Sequence, residues 1–267
     1  MITPDRLEGY MRRAAGEGRE TVEVPPFVAF LDPEDTLRFF NYAHPLEPIT
    51  GNLELLHRHL AEPLAALRAL FVSRQRTPRF EYVEEFAPDL GAALAAAGFS
   101  LEGRYPLLVC DPQSYRAAPE VRGLEIQRLT VDSRSSELRE FVVVERQGFN
   151  HRVTEDVTDA DCEDLRESIR RGGLAFLAHL NGQSAGIASC TVPLDGLTEL
   201  AGIATLPEYR RHGIATAITA AAAQAAFGCG VEAAFLTAGD SQAGRVYQRV
   251  GFRPHATALA YCDSMLP

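Results

Sequence analysis

Arg210 and Arg211, followed by His212 and Gly213, stand where a short apolar run ends and an alanine-rich helical pattern begins. The run is Glu199, Leu200, Ala201, Gly202, Ile203, Ala204 and Thr205; Leu206-Pro207 stops it, because proline has no N–H for a sheet ladder. A helix start leaves backbone N–H groups unpaired and concentrates partial positive charge there. Gly213 removes a side chain where an anion would approach the backbone, and Ala215 and Ala217 keep the next turn small. With two guanidinium groups at its mouth, such a junction can hold a phosphate. The same residues also suit an ordinary strand–turn–helix with its arginines in solvent, and local physics does not separate the two.

Arg210-x-x-Gly213-x-Ala215 resembles the Q/R-x-x-G-x-G/A loop of the GNAT superfamily of N-acetyltransferases. Glu199 on the preceding strand, PEYRRHGIA across the loop and VYQRVGF further on follow the order and spacing of that family, over about Leu124 to Tyr261. The resemblance implies an α/β protein with a mixed, strongly bent sheet that splays open beside its central strand. It implies acetyl-CoA as cosubstrate and no metal. The pyrophosphate would lie on the loop of Arg210, Arg211, His212, Gly213, Ile214, Ala215 and Thr216. The pantetheine amides would pair with the backbone of Ile203, Ala204 and Thr205, as an added strand does. Asp240 departs from the family, which usually has an asparagine there in contact with the cofactor; an aspartate donates no N–H.

Acetyl transfer to an amine needs a held thioester, an amine that loses its proton and a leaving thiolate that gains one. No protein nucleophile is required. The resemblance makes Glu199 the general base, directly or through water, and Tyr247, four residues before Gly251-Phe252, the general acid. A carboxylate beside an apolar cleft has its proton affinity raised, which suits a base. A phenol with its ordinary pKa near ~10 suits protonation of a thiolate. The alternatives are a strand-end glutamate in solvent and an aromatic ring packed on the sheet. Acceptor contacts are expected from the 148–158 loop and the helix before it, with Glu145, Gln147, Phe149 and Asn150 as candidates. His179 and His255, lone histidines on strands, read as structural.

These residues need elements to position them. From residue 124 the pattern reads strand (124–129), helix from a cap at Asp132 or Ser133 to Gln147, helix (159–171) and two strands (174–180, 186–192) joined by Asn181-Gly182, a hairpin signal. The central strand, the alanine-rich helix, a strand (233–237), a helix (241–250), Gly251-Phe252 and a last strand follow. The first part of the chain reads as a helix (3–15), strands at 27–31 and 37–43, a long amphipathic helix (52–73) that Pro63 should kink or split, a strand (80–84), a helix (88–97), Gly98-Phe99 and a strand (105–110). Strand, helix, strand, helix, Gly-Phe, strand therefore occurs twice. We read a tandem arrangement: a degenerate, incomplete GNAT-like copy at residues 1–118 and the catalytic domain at 119–267, linked near Tyr115–Arg122. The first copy has AHPLEPITGN where the second has its arginine loop, and Leu94 where the second has Tyr247.

Composition bounds the partners. The chain has 267 residues, 46% of them hydrophobic, and a formal charge of −10, with no basic stripe for nucleic acid. No apolar run of about eighteen residues offers a membrane span, and the charged start does not read as a secretion signal. Five cysteines without a CxxC pair argue against a disulfide framework or zinc site, so a reducing, cytoplasmic compartment is expected. The reading is an N-acetyltransferase acting on a small-molecule primary amine, with no nucleic-acid or membrane partner and the oligomeric state left open. A non-catalytic acyl-CoA-binding module and a protein acetylase are the alternatives.

Overall fold

The structure is a computed structural model, and it describes residues 2–263. The chain divides into two compact units: the residues up to Pro106 together with those from Ala256 onward, and Leu107–His255. This differs from a single cut after residue 118, because residues 107–118 fall in the second unit and the last strand returns to the first.

The first part of the chain forms α1 (Pro4–Ala15), β1 (Glu20–Val24), β2 (Phe27–Leu31), β3 (Tyr42–Pro45), α2 (Leu53–Ser73), β4 (Arg79–Val83), α3 (Leu90–Ala96) and β5 (Phe99–Cys110). There follow β6 (Leu124–Leu129), α4 (Ser135–Phe149), α5 (Asp159–Arg170), β7 (Leu174–Leu180), β8 (Gln183–Cys190), β9 (Leu197–Thr205), α6 (Ile214–Gly228), β10 (Ala233–Thr237), α7 (Ser241–Val250) and β11 (Arg253–Asp263).

In the first unit β1, β2 and β3 run antiparallel, β3 and β4 pair in parallel, and β4 pairs antiparallel with β11 from Ala258↔Val83 to Cys262↔Arg79. The fully buried Glu8 of α1 ties this unit together: it accepts the Val83 N–H at 2.7 Å and meets His44 Nδ1 of β3 at 2.6 Å. The second unit repeats the plan. β6 to β9 run antiparallel, β9 and β10 pair in parallel, and β10 pairs antiparallel with β5 from Ala234↔Cys110 to Thr237↔Leu107. Each unit thus completes its sheet with a strand whose preceding helix lies in the other unit's sequence.

Two expectations change, and one strand is added. The 37–43 strand is instead a short 3-10 turn at Arg38–Phe40 followed by β3. Local polar side chains take over its backbone: Asp35 accepts the Leu37 N–H, and the Asn41 amide donates to the carbonyls of Asp35 and Leu37. Of the two outcomes expected at Pro63, a kink or a split, the split does not occur, and α2 runs unbroken over 53–73. The carbonyl that the missing N–H would have served belongs to the exposed His59, where water can replace the bond. β1 has no counterpart in the sequence reading; its burial is slight and two of its residues are glutamates, which weakens the apolar alternation.

The second unit packs in two layers. On one face of the sheet Leu108, Leu200, Leu236 and Phe252 meet α6, whose buried Ala220, Ala222, Ala223 and Ala226 allow close approach. On the other, Leu138, Phe141 and Val142 of α4 pack on Leu177, Ile187 and Ala204.

Candidate active site

β9 and β10 pair only over Leu197–Glu199 and Ala233–Phe235; beyond that point β9 pairs with β8 alone. Opposite β8 the strand carries a bulge, Ser189↔Ala201 being followed by Ile187↔Ala204. Gly202 sits in that bulge at φ +62°, and a Cβ there would stand 2.6 Å from Ser189 Oγ. Only glycine meets both demands. The strand ends therefore part, and a cavity of about 870 Å³ opens beyond them.

The cavity is lined by Ile203, Ala204 and Thr205 of β9, by Arg210, Arg211, Gly213, Ile214, Ala215 and Thr216, and by Asp240 and Tyr247. Of the residues expected to hold the cofactor, His212 alone is not part of the lining; its ring faces the Tyr209 carbonyl at 3.1 Å. Gly213 begins α6 in the left-handed region, φ +83°, and no side chain caps the helix. The first-turn N–H groups of Ile214, Ala215 and Thr216 are thus offered to the cavity. Arg210 is braced by a 3.3 Å bond from Nε to the Thr205 carbonyl.

Gly148, Tyr209, Gln242, Ala243, Arg245, Val246 and Arg249 also line the cavity, and the sequence reading did not single them out. Arg245 and Arg249, one turn apart on α7, carry a readable signal in their i,i+4 spacing with Tyr247 between them. With Arg210 and Arg211 they make four cations around one cleft in a chain of net charge −10. That concentration of charge is what a polyphosphate ligand requires.

Tyr247 packs edge-on against Phe252, and burial pushes its phenol above the ordinary range, helped by the Asp240 carboxylate. The hydroxyl therefore stays protonated through neutral pH and is available as a donor. Asp240 caps α7, accepting the Ala243 N–H at 2.7 Å.

Glu199 lies outside the lining. Leu200 packs on the α6 layer, so strand alternation turns the half-buried Glu199 to the opposite face, toward α4. It stands three residues before the bulge, about 10 Å along the strand from Gly202. Glu145, Gln147, Phe149 and Asn150 also lie outside the lining, although Gly148 among them is within it. Asn150 ends α4 at φ 52°, and Phe149 is 52% exposed. The loop after α4 is fastened from below by the buried Arg146, which pairs with Asp161 of α5 at 2.7 Å and donates to the carbonyls of Glu155 and Asp156. Of the lone histidines, His179 pairs with Glu140 at 3.1 Å.

The first unit caps the matching helix start with its own chain. Asn52 caps α2, accepting the Glu54 N–H at 2.9 Å. The preceding loop folds inward: Ile49 is buried, its carbonyl accepts the Asp89 N–H, and Gly51 N–H donates to the Asp89 carboxylate at 2.8 Å. The helix start that is uncapped and flanked by arginines in the second unit is capped by Asn52 in the first, where the adjoining cavity is lined by Asn52, Leu53, Glu54, His57, Arg58 and Ala96.

The acetyltransferase (GNAT) family model matches residues 137–252. No curated protein matches the sequence. Among solved structures, a GCN5-related N-acetyltransferase from Kribbella flavida is 26% identical, with a TM-score of 0.79 over 99% of this chain and 96% of that one. A GCN5-related N-acetyltransferase from Sphaerobacter thermophilus shares the fold at 13% identity and a TM-score of 0.69, over 99% and 90%. A tandem GNAT protein from the clavulanic acid biosynthesis pathway does so at 15% and 0.64, over 90% and 79%. Residues 137–252 of the chain therefore form an acetyltransferase domain of the GNAT family, whose chemistry is acyl transfer from acyl-CoA, and the fold matches GNAT structures that include a tandem protein.

Proposed function

We propose that the second unit moves an acetyl group from acetyl-CoA to a primary amine of a small molecule, by direct attack with both bound. The observation that supports this best is the uncapped, arginine-flanked start of α6 facing Tyr247 across one cavity. The α6 amides and Arg210, Arg211, Arg245 and Arg249 take the phosphates, and the Ile203–Thr205 backbone takes the pantetheine amides. Tyr247 gives its proton to the departing sulfur. Glu199, outside the cavity lining, takes the amine's proton through intervening water. The first unit, whose matching helix start is capped by Asn52 and has no arginine loop before it, binds no cofactor.

The test follows CoA thiol release from acetyl-CoA with putrescine, glucosamine, phenylethylamine and free amino acids. Release well above the amine-free rate, with an acetylated product seen by mass, is expected for at least one of these. Tight acetyl-CoA binding with no amine-dependent release would make the unit a non-catalytic acyl-CoA-binding module instead.

A further inference from the structure

A second carboxylate lies nearer the cavity than Glu199. Glu145 of α4 is half-buried, and among the described residues its side chain makes no hydrogen bond or ion pair. Its Oε1 hangs over the β9 bulge, 3.6 Å from where a Cβ on Gly202 would be. One turn along the same face of α4, Gly148 lines the cavity and lies so close to β9 that a Cβ there would be 2.5 Å from the Ala204 Cβ. Glu145 therefore sits against the residue that precedes the cavity's β9 wall. A half-buried carboxylate with no partner is costly to keep, and proteins keep such groups where a ligand completes them.

We propose that Glu145 takes the acceptor amine's proton directly. This rests on the acetyl-transfer reading above and transfers to Glu145 the role expected of Glu199. The substrate arrives as an ammonium ion, which the carboxylate holds and deprotonates. The nitrogen lone pair forms a bond to the thioester carbon, the C–S bond breaks, and Tyr247 protonates the sulfur. The nitrogen's second proton leaves with solvent, so the products are an amide, CoA thiol and one net proton. Burial pushes the Glu145 carboxyl above its ordinary value, which suits a base. Arg146 on its own helix pulls the other way but is engaged by Asp161 of α5. β8 carries no charged residue, and the nearest charge on β9 is Glu199.

Glu145→Gln in the full chain tests this, using the best amine of the panel. At pH 7, kcat should fall about a hundredfold, with the acetyl-CoA dissociation constant within about threefold of wild type. Activity should recover as the pH rises past the amine's own pKa, where the amine arrives already neutral and only the proton that leaves with solvent remains to be lost. A second readout separates function from support. The folded carboxyl has a raised pKa, so wild-type stability is complete below the unfolded value and declines as pH rises through the folded one. Glutamine escapes that decline, so the variant should melt at or above wild type at pH 7 and alongside it in acid. Wild-type turnover in Glu145→Gln, with Glu199→Gln impaired, would return the role to Glu199 and leave the acetyl-transfer reading intact. A lower melting temperature at pH 7 would make Glu145 a structural residue. A wild type that acetylates no amine would remove both readings together.

Discussion

A chain ending at His255 is expected to lose its first unit as a cooperative structure. The deletion leaves β4 without the β11 partner it holds over five registered residue pairs. It removes the buried Leu259 and Tyr261, the latter stacked on Tyr82 at 6.3 Å. It also strips Arg68 of Asp263, a 2.5 Å ion pair whose carboxylate is fully buried. The two apolar side chains alone represent roughly 3–6 kcal/mol, against a typical domain stability of about 5–15 kcal/mol. An isolated 1–118 fragment lacks the same strand and should fail in the same way. Circular dichroism melts check this: a truncated chain that unfolds cooperatively within a few degrees of full length would show that β11 is dispensable.

Tyr247→Phe should lower kcat by about tenfold or more while leaving the acetyl-CoA dissociation constant unchanged. The substitution keeps the ring and its edge contact with Phe252 and removes only the donor. The wild-type phenol, pushed up by burial, holds its proton well beyond neutrality, so no fall in rate from its ionisation is expected below the ordinary tyrosine range. Unchanged kcat, with chemistry shown to be rate-limiting, would place the acid elsewhere in the cleft.

The anion loop was legible because it is local. Arg210, Gly213 and Ala215 lie within one turn of a helix start, and both the physics and the family resemblance act over that short span. Tyr247 was legible for the same reason, being fixed by its distance to Gly251-Phe252. For Glu145 the sequence supports an acceptor contact and no more. Its burial and its place over Gly202 depend on how α4 crosses a bulge more than fifty residues away in sequence. The destinations of β5 and β11 were hidden by the repeat itself. Both strands follow a Gly-Phe turn, and the pattern does not say whose sheet each completes. In the first half the loop AHPLEPITGN visibly lacks the arginines, but it does not reveal that Asn52 caps the helix start or that Asp89 ties the loop at Gly51.

The proposed chemistry requires one acyl-CoA site per chain, at the α6 start of the second unit. Calorimetric titration of acetyl-CoA tests it most directly, on wild type and on Arg210→Glu/Gly213→Asp. The account predicts one site per chain in wild type. In the double variant affinity should drop at least a hundredfold, about 2.7 kcal/mol or more, since carboxylates replace a cation and the only residue that tolerates φ +83° without strain. Circular dichroism confirms that the variant is folded. Two equal sites per chain, or undiminished affinity in the folded variant, would contradict it.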